Sequence, residues 1–179
     1  MDKQYDYRNC QSLFGYALKV HERSRAICQL CDCGKGQGFS FDLWRQMTVE
    51  HLIGESQGGY LKDIRAAIAK RFPRLSPEEH ERLSQRIDEA NTVTACSFCN
   101  STTSRKRHPK GLTRLIKETK GTPDEVVSAI EVELKKALES KRADVQRKLQ
   151  SVREAFEKLV KPEMIRERII TETNRGGQR

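Results

Sequence analysis

Four of the six cysteines fall in two pairs of identical spacing, Cys28-Gln-Leu-Cys31 and Cys96-Ser-Phe-Cys99. Two residues between thiols let a tight turn aim both sulfurs at one ion, and two such turns complete a tetrahedral site of four thiolates. Four buried cysteines spaced by chance is the competing reading, and two matching pairs weigh heavily against it. The expected ion is Zn2+, held structurally, because four thiolates leave no open coordination position for a substrate. A binding free energy on the order of 10 kcal/mol or more in small domains would offset a meagre core, for apolar residues make up 36% of the chain and charged ones 33%. Cys33, separated from Cys31 by a single residue, offers poorer ligand geometry, and Cys10 reads as a core residue.

The 179 residues between and around these knuckles amount to about one domain by length. Cys10, Leu13, Phe14, Ala17 and Leu18 form the stripe of an amphipathic helix from Asn9 to about His21, after a loose arm at 1–8. A Gly-rich loop spans Gly34 to Gly38, and Phe39, Phe41 and Leu43 then alternate with polar residues. Met47-Thr-Val-Glu-His51 reads as a short strand closed by Gly54 and Gly58-Gly59. Leu61, Ile64, Ile68 and Phe72 share a helix face that Pro73 terminates, and Ser76-Pro77-Glu78-Glu79 carries the N-cap, proline and capping-box signals of a second helix. A strand at Thr92–Ala95 and a helix starting near Ser97 follow.

Thr122-Pro123-Asp124-Glu125 repeats that helix start and opens the longest periodic segment, with Val127, Ile130, Leu134, Leu138, Val145, Leu149, Val152, Phe156 and Leu159 on one stripe as far as Pro162. Its weak point is Lys141-Arg-Ala-Asp144, which leaves a dimeric coiled coil and an intramolecular hairpin equally open. The fold class expected from this pattern is α+β and mostly helical. No stretch approaches 18 apolar residues, and the first residues lack an apolar signal core, so the expectation is a cytoplasmic protein with no membrane span.

Net charge is +9, with seven Lys/Arg against one acid between Ser101 and Lys120 and eleven against six from Lys141 to the C-terminus. Basic segments of this kind favour a polyanionic partner such as DNA. Arg105, Lys106 and Arg107 follow the second knuckle directly and are the candidate phosphate contacts. Around the knuckles stand Glu50, His51, Asn91 and Asn100. The ordinary imidazole pKa near 6.5 leaves His51 available as a general base. Glu50 and Asn100 offer oxygen ligands that suit a hard divalent cation. Adjacent strand residues point to opposite faces, so Glu50 and His51 can share a site only where the strand ends.

The order of these parts resembles the HNH endonucleases, the zinc-framed branch of the ββα-metal (His-Me finger) nucleases. The resembling segments are Cys28-x2-Cys31, Val49-Glu50-His51-Leu52-Ile53 with Gly58-Gly59, and Asn91 through Cys96-x2-Cys99-Asn100. The resemblance implies a small zinc-framed ββα-metal core with a helical insertion and a long C-terminal helical extension. It also implies a metal-dependent DNA endonuclease in which His51 activates water, Glu50 and Asn100 hold catalytic Mg2+ or Mn2+, and Asn91 braces the loop carrying His51. Glu50 stands where Asp is commoner in the family, and Asn100 where many members carry His. The expected organisation is an N-terminal arm and helix at 1–23, a nuclease core at 24–110 with the helical insertion at 60–90, a C-terminal helical, coiled-coil-like region at 111–172 through which a homodimer could form, and a Gly- and Arg-rich disordered tail at 173–179. Such an enzyme fits a bacterial or phage-like setting. The alternatives are a non-catalytic zinc-ribbon module that binds nucleic acid, and a coiled-coil adaptor built on 123–160.

Overall fold

A computed structural model describes residues 18–103 and 107–166. The arm, Cys10 and most of the first helix, Arg105, Lys106 and the tail from Thr173 lie outside the described residues. The order of elements is α1 (Leu18–Ser24), α2 (Phe41–Trp44), β1 (Met47–His51), α3 (Leu61–Arg71), α4 (Pro77–Asn91), β2 (Thr92–Cys96), α5 (Ser97–Thr103), α6 (Leu112–Glu118) and α7 (Pro123–Ala155). The fold is α+β and mostly helical, with one two-stranded sheet.

The sheet is antiparallel, with Met47 opposite Cys96, Glu50 opposite Val93 and His51 opposite Thr92. Directly paired residues share a face, so Thr48, Glu50, Val93 and Ala95 lie on one side and Val49, His51, Thr92 and Thr94 on the other. A pair of strands alone is marginal in water; here β2 is buried at every position and helices cover it. His21 and Ser24 of α1 hydrogen-bond the Thr94 hydroxyl, at 3.0 and 2.6 Å. Helix α4 runs directly into β2, its last residue Asn91 fully buried.

Two apolar clusters flank the sheet. The larger joins Ile64 and Ile68 of α3, Leu83 and Ile87 of α4, Leu112 and Ile116 of α6, and Val127, Ile130 and Leu134 of α7. The smaller gathers Leu30, Leu43, Met47, Ala95 and Val145 around the cysteines. The sequence carries little signal for helix α6, because its apolar set, Leu112, Leu115 and Ile116, spans hardly more than one turn. Arg71 ties α3 to it by donating to the carbonyls of Ile116, Lys117 and Thr119 at its C-terminal end.

Both capping boxes form as read. Ser76 Oγ accepts from the Glu79 N–H and Glu79 reaches back to the Ser76 N–H at 2.8 Å, and Thr122 and Glu125 do the same for α7. Phe39, Phe41 and Leu43 alternate but form no strand: Ser40 caps the short helix α2, only Leu43 is buried, and the two phenylalanines are 72% and 71% exposed. No hairpin turn falls at 141–144, because α7 continues through it as one helix about 50 Å long at 1.5 Å per residue. Nor does the helix end at Pro162: a π-helical turn at Phe156–Val160 precedes it and helix resumes over 161–166. Proline cannot donate to the preceding turn, and a widened turn accommodates the carbonyl left unpaired.

Leu134 is fully buried midway along α7 among residues of four helices. Leu134→Ala is expected to lower unfolding free energy by about 2–5 kcal/mol, read by urea denaturation. Val132→Ala, at a position 54% exposed, should change it by less than about 0.5 kcal/mol.

Candidate functional site

The two knuckles meet. The Sγ atoms of Cys28, Cys31, Cys96 and Cys99 all lie within 4.8 Å of one another, and Cys31 and Cys96 approach to 3.8 Å. Cys28 and Cys31 sit on the turn after α1, whose Gln29 N–H donates to the Thr94 carbonyl at 2.8 Å and so docks that turn on β2. Cys96 ends β2 and Cys99 lies on the first turn of α5. Cys33 packs beside the group but is not part of the four-thiol set.

Four thiols at this spacing compete for protons. Hydrogen bonds from Cys96 and Cys99 hold Cys28 far below the usual thiol range. Burial pushes Cys31 up to about 12, and the hydrogen bond with Cys28 drives Cys99 well above the ordinary range. A divalent cation at the centre removes that conflict by stabilising all four thiolates together. The donor set fits a closed tetrahedral site for a metal such as zinc.

Glu50 and His51 occupy the last two positions of β1. Beyond them the chain turns through a loop that Asn91 holds from inside. Asn91 accepts the Ile53 N–H at 2.8 Å and donates to the carbonyls of Ile53 at 3.0 Å and Gly59 at 2.8 Å. Gly59 has no alternative residue, since a Cβ there would stand 1.6 Å from the Ile53 oxygen. His51 is half-buried and its ring packs against Tyr60 at a tilt of 41°, with centroids 4.7 Å apart. Burial, and secondarily the charge of Lys141, lower its pKa to about 4, below the ordinary value near 6.5.

Glu50 is buried on the opposite face with Thr48, under α5 and α7. Its Oε1 accepts from the Lys141 ammonium and lies 3.4 Å from Thr103 Oγ1. Burial raises the Glu50 carboxyl above its usual range, and Lys141 and Thr103 pull it back down. Lys141 also donates to the His51 carbonyl at 3.1 Å. Asn100, one turn before Thr103 on α5, donates its amide to Thr48 Oγ1 at 2.9 Å. Helix α5 thus lays Asn100 and Thr103 over Thr48 and Glu50. The cation that Glu50 holds in this structure is the Lys141 ammonium.

Of the expected site residues, the four cysteines converge, Glu50 and His51 end one strand, Asn91 pins their loop, and Asn100 reaches the same strand. Arg107 is exposed, whereas Arg105 and Lys106 lie outside the described residues. Gln57 brings the basic segment to the loop by clasping His108, whose N–H it accepts at 2.9 Å and whose carbonyl it bonds at 2.6 Å. Lys141, Thr103 and Tyr60 escaped sequence reading. Only Lys141 left a trace: it falls on the apolar stripe one turn after Ala137 and one before Val145, both buried. The weak point at 141–144 is therefore a buried cation.

Compared with known proteins, the chain matches no family model, and no curated protein or solved structure matches it at a significant level. Among the described residues no helix is long and apolar enough to cross a membrane.

Two outcomes are expected. The purified protein should carry one zinc per chain by atomic absorption, and Cys28→Ala or Cys99→Ala should lose both the metal and cooperative unfolding; a folded, metal-free wild type with freely titrating thiols would contradict this. Between about pH 4 and 6.5 the unfolded chain binds a proton at residue 51 that the folded chain rejects. The contribution of His51 to stability is then complete above that window and lost as pH falls through it. Acidification from pH 7 to 5 should therefore destabilise wild type more than His51→Gln, compared by chemical denaturation in the same buffers.

Proposed function

We propose that the chain is a metal-dependent DNA endonuclease of the HNH type, hydrolysing phosphodiester bonds. The observation that carries the reading is the arrangement at the end of β1. Glu50 and His51 finish the strand, Asn91 braces the loop after them, and β2 passes through a thiol knuckle into the short helix bearing Asn100. Strand, strand and helix are thereby held on a four-cysteine frame of the kind the resemblance implies.

In this reading His51 is the general base. Burial keeps its imidazole neutral at cellular pH, so it can accept the proton of a water attacking the phosphorus. The tilted contact with Tyr60 restrains the ring, and the Asn91 bonds fix the backbone loop that follows it. Glu50 and Asn100 would hold the divalent cation, Mg2+ or Mn2+, which supplies Lewis-acid polarisation of the phosphate when bound. Arg107, exposed beside the loop that Gln57 secures, contacts a neighbouring phosphate, joined by Arg105 and Lys106.

One observation favours a second reading, a non-catalytic zinc-ribbon module that binds nucleic acid: Glu50 is already paired with Lys141. The two readings part on activity. With magnesium present, His51→Ala should bind duplex DNA near normally yet cleave it at least about a hundredfold more slowly, measured on supercoiled plasmid. Glu50→Ala should be partly rescued by raised metal, and His51→Ala should not. Wild type that binds DNA without ever nicking it, with magnesium or manganese, supports the module instead; full activity in His51→Ala removes the assignment at this site.

A further inference from the structure

The buried pair of Glu50 and Lys141 joins parts of the chain 91 residues apart. Both side chains are 5% exposed. Removing two charges from water is expensive, and an apolar pair of similar volume would stabilise the helix equally well or better. The ammonium also reaches the His51 carbonyl at 3.1 Å. It thus touches Glu50 and the backbone of His51 at once, on the side of β1 where Asn100 and Thr103 lie.

Helix α7 is anchored on both sides of this lysine. Ala137, one turn earlier, belongs to the larger apolar cluster, and Val145, one turn later, to the cluster around the cysteines. Over Lys141 opens a cleft of about 60 Å3 lined by Leu52, Arg107, His108, Pro109, Ala137 and Ser140. It is large enough to hold water, and it leads from the buried pair to the basic segment at 107–110.

We propose that the Lys141 ammonium is a built-in occupant of the cation seat on Glu50, and that a divalent cation binds there by displacing it into this cleft. The inference rests on the reading that Glu50 holds the cation. Two cations cannot share the contact position on Oε1, so the metal affinity of the site is reduced by whatever holds Lys141 in place. Phosphates bound along Arg107 and the cleft offer the displaced ammonium a new counter-charge. Nucleic acid and metal would then bind with positive coupling, each easing the entry of the other.

The test uses the full-length zinc-loaded protein and Mn2+, whose free concentration is read by electron paramagnetic resonance. Wild type should bind Mn2+ weakly, and K141M at least about tenfold more tightly, the lower end of coupling between close charges. Mn2+ should also raise the melting temperature of K141M and leave that of the double variant E50Q/K141M unchanged. K141Q keeps donors for Glu50 and the His51 carbonyl, and it serves in the same comparison if K141M does not fold. Equal affinity in wild type and the Lys141 variants overturns the proposal, as does tight binding that survives E50Q. Cleavage separates the two levels. Tightened Mn2+ binding without cleavage in any variant leaves this inference standing and removes the nuclease reading. Active wild type with unchanged affinity in K141M does the reverse.

Discussion

Four thiols must converge on a point smaller than a side chain, although 64 residues separate Cys31 from Cys96. The segments that carry them are arranged around β2. The turn at 28–31 can reach Cys96 and Cys99 only if it lies against β2, which the bond from Gln29 to the Thr94 carbonyl accomplishes. β1 then has one free edge of β2 left to pair with. Its register against β2 places Met47 beside the cysteine cluster and carries Glu50 and His51 to the far end. The four-cysteine site and the Glu50–His51 end are thus opposite ends of the same two strands.

At that far end the constraint is different, since polar groups there are buried and each must find a partner. Asn91 meets this fully, its amide saturated by three backbone groups of the 53–59 loop. Glu50 meets it through Lys141 and Thr103. The two solutions differ in consequence. A neutral amide closing on backbone fixes the loop in one shape, whereas a carboxylate closing on an ammonium holds a charge that another cation can claim. The proposed role of Lys141 arises from this second kind of satisfaction. The low proton affinity of His51 is set first by its own burial and second by the nearby Lys141 ammonium.

Much of this was legible in the residues, for reasons that are local. Capping boxes, the boundaries of β1 and the start of β2 depend on neighbours within four positions, and they appear where the sequence places them. The cysteine set was legible because ligand spacing is itself a short-range geometric code. Local signals also misled where tertiary contacts outweighed them. The alternation at Phe39, Phe41 and Leu43 reflects one buried leucine beside two exposed rings. The interruption at 141–144 resembled a turn because a lysine on an apolar stripe breaks the pattern whether it faces water or a buried acid.

What the sequence determined by itself, then, was the inventory: which residues can bind metal, which can cap, and which stripe each helix buries. Partnership was decided only by the fold. Lys141 and Glu50 are separated by 91 positions, and no periodicity or spacing rule connects residues so far apart. Their contact exists because α7 packs across both apolar clusters and must lay some residue over β1 as it passes. The physical reason is range. Caps, turns and ligand pairs are settled by forces acting over a few bonds, while the neighbours of a buried charge are settled by every element that excludes water from it.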